Sequence, residues 1–266
     1  MSGAALSGDA FDPAALTDAE LAAHLAHHAG RILLAVREAG VFAEKSLGKA
    51  GDQTANQFLV HALRELRPDD GLLSEESKDT PARLAKRRVW IVDPVDGTRE
   101  YGEGRPDWAV HVGLAIDGVP VLGAVALPGL NADGTGGGAV LRSDRVAPLP
   151  PAGTPPRMVV SRTRPAAEAL AVAGKLGAKL VPMGSAGAKA MAILRGEADI
   201  YLHSGGQYEW DSCAPAAVAL AHGLHASRID GSPLVYNQRD VSMPDLLICR
   251  KEHAGPILDL LAEIAA

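Results

Sequence analysis

Val89, Trp90, Ile91 and Val92 form an unbroken apolar run that ends against Asp93-Pro94-Val95-Asp96-Gly97. A short continuous run bounded by turn residues is the pattern of a strand buried on both faces. It requires structure packed above and below it, which 266 residues can supply. Pro94 lacks a backbone donor, so the ladder is expected to stop there, holding Asp93 and Asp96 near one point. Two like charges about 4 Å apart repel by roughly 4 kcal/mol at an effective dielectric near 20. A carboxylate pair fixed on buried backbone therefore calls for a shared proton, a cation, or side chains that diverge. The string WIVDPVDGTREY, residues 90–101, holds neither His nor Cys, and hard oxygen ligands select magnesium or a close relative over zinc. An Asx turn would account for Asp-Gly alone, but not for the full string at the end of an apolar strand.

Around this strand the chain reads as two parts. Thr17 with Glu20 forms a capping box ahead of Leu21, Leu25, Ala29, Ile32 and Val36, which predicts a helix ending near Gly40. A second helix is expected over 55–67, closed by Pro68. Alternation from Trp108 to Ile116, then Asp117-Gly118, then Val119 to Val125 predicts a hairpin with a type I′ turn. The glycines at 134–138 lack the ending and the following helix of a phosphate loop and are expected at a hairpin tip. The Pro-rich stretch 147–157 predicts a boundary, giving an α+β half at 1–146 and an α/β half at 147–266. The second half alternates strands near 158–161, 180–183 and 199–203 with helices near 165–176, 185–195 and 212–222. A hairpin around Asp230-Gly231, a strand at 246–250 and a last helix from Pro256 complete the expected layered α/β arrangement.

The balance of charges excludes one class of partner. Lys plus Arg number 26 against 32 Asp plus Glu, an excess of six acids that does not suit a coat for nucleic-acid polymers. Two cysteines, in no CxxC pair, fit a reducing compartment. The first residues carry no basic and apolar leader, and no 18-residue apolar run occurs, so a cytoplasmic address without a membrane span is expected. His24, His27 and His28 contain an i, i+4 pair with no third zinc ligand nearby in sequence, which favours a wet helix face.

Two further acids stand in suggestive places. Glu75, in LLSEES, follows a short apolar segment as Asp93 does, so a third carboxylate is a candidate for the site; a solvated acidic loop is the alternative. Asp211, in EWDSCAPAAVAL, lies where an apolar helix begins, and spacing alone leaves it as either a cap or a metal ligand.

Together SEES (74–77), DPVDGT (93–98) and EWDSCAPA (209–216) resemble the ordered signatures of the inositol monophosphatase superfamily, magnesium-dependent and lithium-sensitive phosphatases. The resemblance spans nearly the whole chain and implies an α/β fold of alternating αβαβα layers with the metal site between the halves. Arg99-Glu100-Tyr101, the Glu209-Trp210 pair and GSAGAK at 184–189 are similar to the superfamily's 3′(2′),5′-bisphosphate nucleotidases. The resemblance thus implies a nucleotide bisphosphate as substrate, two or three magnesium ions and a homodimer. It would give one ion Glu75, Asp93 and the Val95 carbonyl, and a second ion Asp93, Asp96 and Asp211. Glu75 and Thr98 would activate the attacking water, with Asp96 also catalytic, and Gly97 and Thr98 would hold the scissile phosphate. Ser185 and Lys189 would contact the rest of the substrate, and its second phosphate would meet Lys189, Arg195 or Arg228. One departure stands out: in DQTANQ, Asn56 or Gln57 falls where the superfamily carries an acid, and the expected upstream lysine is either Lys45 or Lys49.

Overall fold

A computed structural model describes residues 12–131 and 138–265; of the expected glycine-rich tip, positions 132–137 lie outside the described residues. The apolar run is the centre of strand β2 (Arg88–Asp96), which pairs in parallel with β1 (Gly71–Ser74) and antiparallel with β3 (Ala109–Ile116). β4 (Val119–Leu127) and β5 (Ala139–Arg142) complete a five-stranded sheet in the order β1-β2-β3-β4-β5. The β3–β4 turn has positive φ at both Asp117 (52°) and Gly118 (79°), as a type I′ turn requires.

Helices α1 (Asp18–Glu38) and α2 (Glu44–Leu66) cover one face of this sheet. The capping box at Thr17 and Glu20 forms as expected. α2 starts eleven residues before the expected Ala55. Its first half, with Gly48 and Gly51, is a poor intrinsic helix former held by tertiary packing. A Cβ on Gly48 would lie 2.7 Å from Thr98 Cγ2, so glycine there lets the helix approach the end of β2 closely.

Beyond α3 (Thr98–Gly102), the second half forms β6 (Arg157–Ser161), α4 (Ala167–Leu176), β7 (Lys179–Met183), α5 (Ala186–Leu194), β8 (Ile200–Tyr208), α6 (Glu209–Ala221), β9 (His225–Ser227), β10 (Ser242–Cys249) and α7 (Lys251–Ala265). The second sheet runs β7-β6-β8-β10-β9. β9 and β10 pair antiparallel, but through a long connection; Asp230-Gly231 is only a local turn within it, not a hairpin tip. α7 begins five residues before Pro256, which sits inside the helix.

The layers follow from which face each side chain serves. Trp90, Val92, Val110 and Val112 pack with α1 and α2, whereas Val89, Ile91 and Val125 pack with α5 and α6. The second sheet closes over α5 and α6, and α4 and α7 cover its far side around Val172, Ile200, Leu247 and Ile257. The result is the expected αβαβα sandwich. Each buried aliphatic side chain contributes roughly 1.5–3 kcal/mol, so β2, apolar on both faces, is anchored from both sides.

The expected stop at Pro94 does not occur. β2 continues to Asp96 through an irregularity in its pairing with β3, where Asp93 faces His111 and Asp96 faces Ala109. In a regular strand, residues three apart point to opposite faces. The irregularity shifts that alternation by one, so Val95 joins the α1/α2 core while Asp93 and Asp96 both reach the central layer.

Candidate active site

Asp93 is 2% exposed and accepts a hydrogen bond from its own Val95 N–H at 3.0 Å. Asp96 is 6% exposed and meets the start of α5: Ser185 Oγ donates to it at 2.5 Å, Ala186 N at 3.0 Å and Gly187 N at 2.6 Å. The free N–H groups and dipole of that helix end favour the ionised carboxylate. Fully buried His111 places Nε2 3.1 Å from Asp96 Oδ2 and donates from Nδ1 to the Trp210 carbonyl at 2.9 Å. Burial alone would raise the Asp96 pKa, but the charge of His111 and the donors from Ser185 and Gly187 bring it down to about 2. In return Asp96 overcomes the burial of His111 and raises its pKa. A Cβ on Gly187 would lie 2.0 Å from His111 Nε2, so only glycine admits the ring at this point.

Asp211 is the third residue of α6, not its cap; Tyr208 is the cap, and its N–H donates to Asp211 Oδ2 at 2.7 Å. Asp93, Asp96 and Asp211 each offer an oxygen within 4.8 Å of the others. Glu75, just past β1, is exposed at the rim and lies outside this three-acid group, but close enough for its charge to raise the Asp93 pKa. Burial and the neighbouring Asp211 charge push Glu75 up to about 7, and burial with the Asp96 charge pushes Asp211 up to about 7. Asp93, buried and crowded by Glu75, Asp96 and Asp211, is raised well above the ordinary carboxylate value. Carboxylates that hold protons near neutrality for want of a counter-charge fit a divalent cation, and an all-oxygen donor set fits magnesium. Among the described residues this is the one group of three or more His, Cys, Asp or Glu that could hold a metal, and the α1 histidines form none.

Thr98, first residue of α3, donates its hydroxyl to Asp52 Oδ1 at 3.2 Å, with the Val95 carbonyl at 3.1 Å. Gly97 immediately precedes it, so the first N–H groups of the turn have no intrahelical partner. Asp52, not singled out from sequence, lies on the early half of α2; burial and the Glu76 charge push it up to about 7. An acid thus reaches Thr98 from one turn before Asn56. Asn56 instead accepts from Ser74 Oγ at 2.7 Å and donates to Ser77 at 3.1 Å, pinning the loop that carries Glu75, while Gln57 is exposed. Spacing could have found Asp52 had the helix been extended through Gly48 and Gly51.

Ser185, expected on the substrate, donates its hydroxyl in a hydrogen bond to Asp96 and accepts from Ala188 N at 2.9 Å. Its φ of 52°, unusual outside glycine, is held by those bonds. Lys189 is 5% exposed, with Nζ 5.3 Å from the Tyr201 ring and no hydrogen-bond partner among the described residues; burial lowers its pKa. It borders a cavity of about 410 Å³ together with Arg99, Arg162, Arg164, Glu100 and Ser185. Arg162 is held by Glu100 at 2.8 Å and Glu103 at 2.9 Å, whereas the Arg99 and Arg164 guanidinium groups have no carboxylate partner among the described residues. Arg195 pairs with Glu197, and Arg228 with Asp245 at 2.6 Å, so neither joins this cavity. A second cavity of about 780 Å³, lined by Lys45, Lys49, Asp52, Thr98 and Arg99, opens on the other side of Arg99.

Comparison with known proteins agrees with this geometry. Residues 17–264 match the model of the inositol monophosphatase family. The 3′-phosphoadenosine 5′-phosphate phosphatase of Mycobacterium leprae is 48% identical over 265 residues, covering 94% of this chain and 96% of that protein. The protein of the same name from Mycobacterium bovis is 52% identical over 245 residues, covering 88% and 90%. Among solved structures, CysQ from Bacteroides thetaiotaomicron superposes with a TM-score of 0.71 at 26% identity, covering 87% of this chain and 96% of that one. The chain belongs to the inositol monophosphatase family.

Proposed function

We propose that the chain is a magnesium-dependent phosphatase that removes the 3′-phosphate of adenosine 3′,5′-bisphosphate, giving AMP and phosphate in support of sulfate assimilation. The observation that carries this reading is the juxtaposition of the Asp93-Asp96-Asp211 cluster with a cavity bordered by Arg99, Arg164 and Lys189, none of which has a carboxylate partner among the described residues. One set of groups suits a cation and a reacting phosphate; the other suits a second anionic group on the same small molecule. The names of the relatives support the same substrate.

Glu75, Asp93, Asp96, Asp211 and the Val95 carbonyl would hold two magnesium ions, or three with Asp52. When bound, the ions supply charge neutralisation for the attacking and leaving oxygens of an in-line displacement. The chain's own part starts with Thr98, whose hydroxyl is oriented by Asp52 and the Val95 carbonyl to meet the attacking water. Asp52 or Glu75, each poised near neutrality, accepts the proton released by that water. The N–H groups of Gly97 and Thr98 hold the scissile phosphate. Lys189, Arg164 and Arg99 receive the second phosphate. The segments 1–146 and 147–266 are read as two halves of one unit, the first carrying Glu75, Asp93 and Asp96 and the second Asp211 and Lys189.

Side-by-side kcat/KM values for adenosine 3′,5′-bisphosphate and inositol 1-phosphate test the substrate. A clear preference for the nucleotide is expected, and a preference for inositol phosphate would overturn it. Tight nucleotide binding without turnover at saturating magnesium would point instead to a non-catalytic regulator.

A further inference from the structure

Glu75 follows a strand of the first sheet, and Asp211 lies on a helix that follows a strand of the second. No strand pairing sets the distance between them. A line of hydrogen bonds outside the carboxylate cluster does connect their segments. Asp79, four residues after Glu75, takes Arg83 Nε at 2.7 Å and Nη2 at 2.8 Å. Arg83 is only 2% exposed, and its remaining donors cross to the connection between β9 and β10: Nη1 to Asn237 Oδ1 at 2.8 Å and Nη2 to the Gln238 carbonyl at 3.0 Å. Asn237 returns its amide to the Arg83 carbonyl at 3.2 Å. At φ 59° it turns the chain so that the N–H groups of Asn237 and Gln238 meet the Glu209 carboxylate at 2.7 and 2.6 Å. Glu209 opens α6, two residues before Asp211, and is 1% exposed.

We propose that Arg83, Asn237 and Glu209 are positioning residues that fix the separation of Glu75 and Asp211, and through it the cation affinity of the cluster. The physical need is plain: like-charged carboxylates push each other apart, and Glu75 sits on a loop that would yield. An Arg fork held on both edges resists that displacement, because its planar donors fit one geometry only. Glu209 has both oxygens committed to the same connection, so an acid absent from the phosphatase chemistry acquires a role. None of the three touches the cluster; each acts through the segments it holds.

The test is Mn²⁺ titration of the full-length protein by calorimetry, with thermal unfolding of the metal-free form alongside. Arg83→Lys keeps the charge and loses the fork, and Asn237→Gly keeps the left-handed backbone and loses the side chain. Both are expected to raise the Mn²⁺ Kd by about tenfold or more. Glu209→Gln, which retains one acceptor oxygen, is expected to fall between these and the unaltered protein. Arg67→Ala serves as control, because it removes an ion pair to Asp18 on the far helices and is expected to lower Tm without moving Kd. An unchanged Mn²⁺ Kd in Arg83→Lys and Asn237→Gly, at a Tm loss like that of the control, would overturn the proposal. Failure of the nucleotide to be hydrolysed would count against the proposed function alone, since this titration does not depend on turnover.

Discussion

Ser185 donates its hydroxyl to Asp96 across 2.5 Å, joining positions 89 residues apart. The bond closes the end of β2 onto the start of α5, so one acid is ionised and aimed before any cation arrives. His111 completes the support from β3. Ser185→Ala and His111→Gln are each expected to weaken magnesium affinity by about 10–100-fold, measured by calorimetry, with less effect on kcat at saturating metal.

In the proposed reaction Thr98 and Asp52 serve a separate function. Thr98→Val and Asp52→Asn are expected to lower kcat by about 10²–10⁴-fold while KM for the nucleotide moves little. Steady-state kinetics at saturating magnesium distinguish this outcome from a loss of binding.

The acids also set a pH dependence. Glu75, Asp52 and Asp211, raised to about 7 in the folded chain, hold protons that the unfolded chain releases at lower pH. Their contribution to stability is full below their unfolded values and is lost as pH rises through about 7. Asp96, lowered to about 2, has the opposite sign: its contribution is present above its ordinary 3.8 and is lost as pH falls toward about 2. The metal-free Tm is therefore expected to fall between about pH 5 and 8, and magnesium affinity to rise over the same window with release of protons. Thermal scans with and without magnesium across this range, together with calorimetry in buffers of differing ionisation enthalpy, check both signs.

Gly187 admits the His111 ring, so Gly187→Ala is expected to destabilise the fold by about 1–3 kcal/mol through overpacking. Urea unfolding measures the loss, and His111→Ala in the same chain should recover part of it.

Much of this arrangement was legible in the sequence because it is local. The Thr17 capping box, the Asp117-Gly118 turn, the apolar strand and the acids beside it each follow from neighbours within a few residues. The layer order and the meeting of Asp93, Asp96 and Asp211 were carried by ordered motifs, which hold long-range information that periodicity lacks. What sequence reading missed was decided by tertiary contact. The first half of α2 is glycine-containing and polar, yet packing against Thr98 and Tyr101 makes it helical and brings in Asp52. The pairing irregularity after Asp93 turns an expected strand stop into the device that puts two acids on one face. His111 stood in an alternating strand with no sign that its partner was Asp96. Arg164 looks like any other arginine in the sequence; only the ion pairs that occupy Arg195 and Arg228 set it apart.

The cavity gives a direct test of the proposed second-phosphate site. Arg164→Ala is expected to raise KM for adenosine 3′,5′-bisphosphate severalfold while leaving hydrolysis of a simple monophosphate ester unchanged. Kinetics on the two substrates separate this from a general loss of activity.

The most direct measurement is phosphate release from adenosine 3′,5′-bisphosphate by the purified chain, with magnesium and with a chelator, beside Asp96→Asn. Release is expected only for the unaltered chain with magnesium present. Comparable release under chelation, or from Asp96→Asn, would contradict the assignment of the buried acids as the metal site on which the reaction depends.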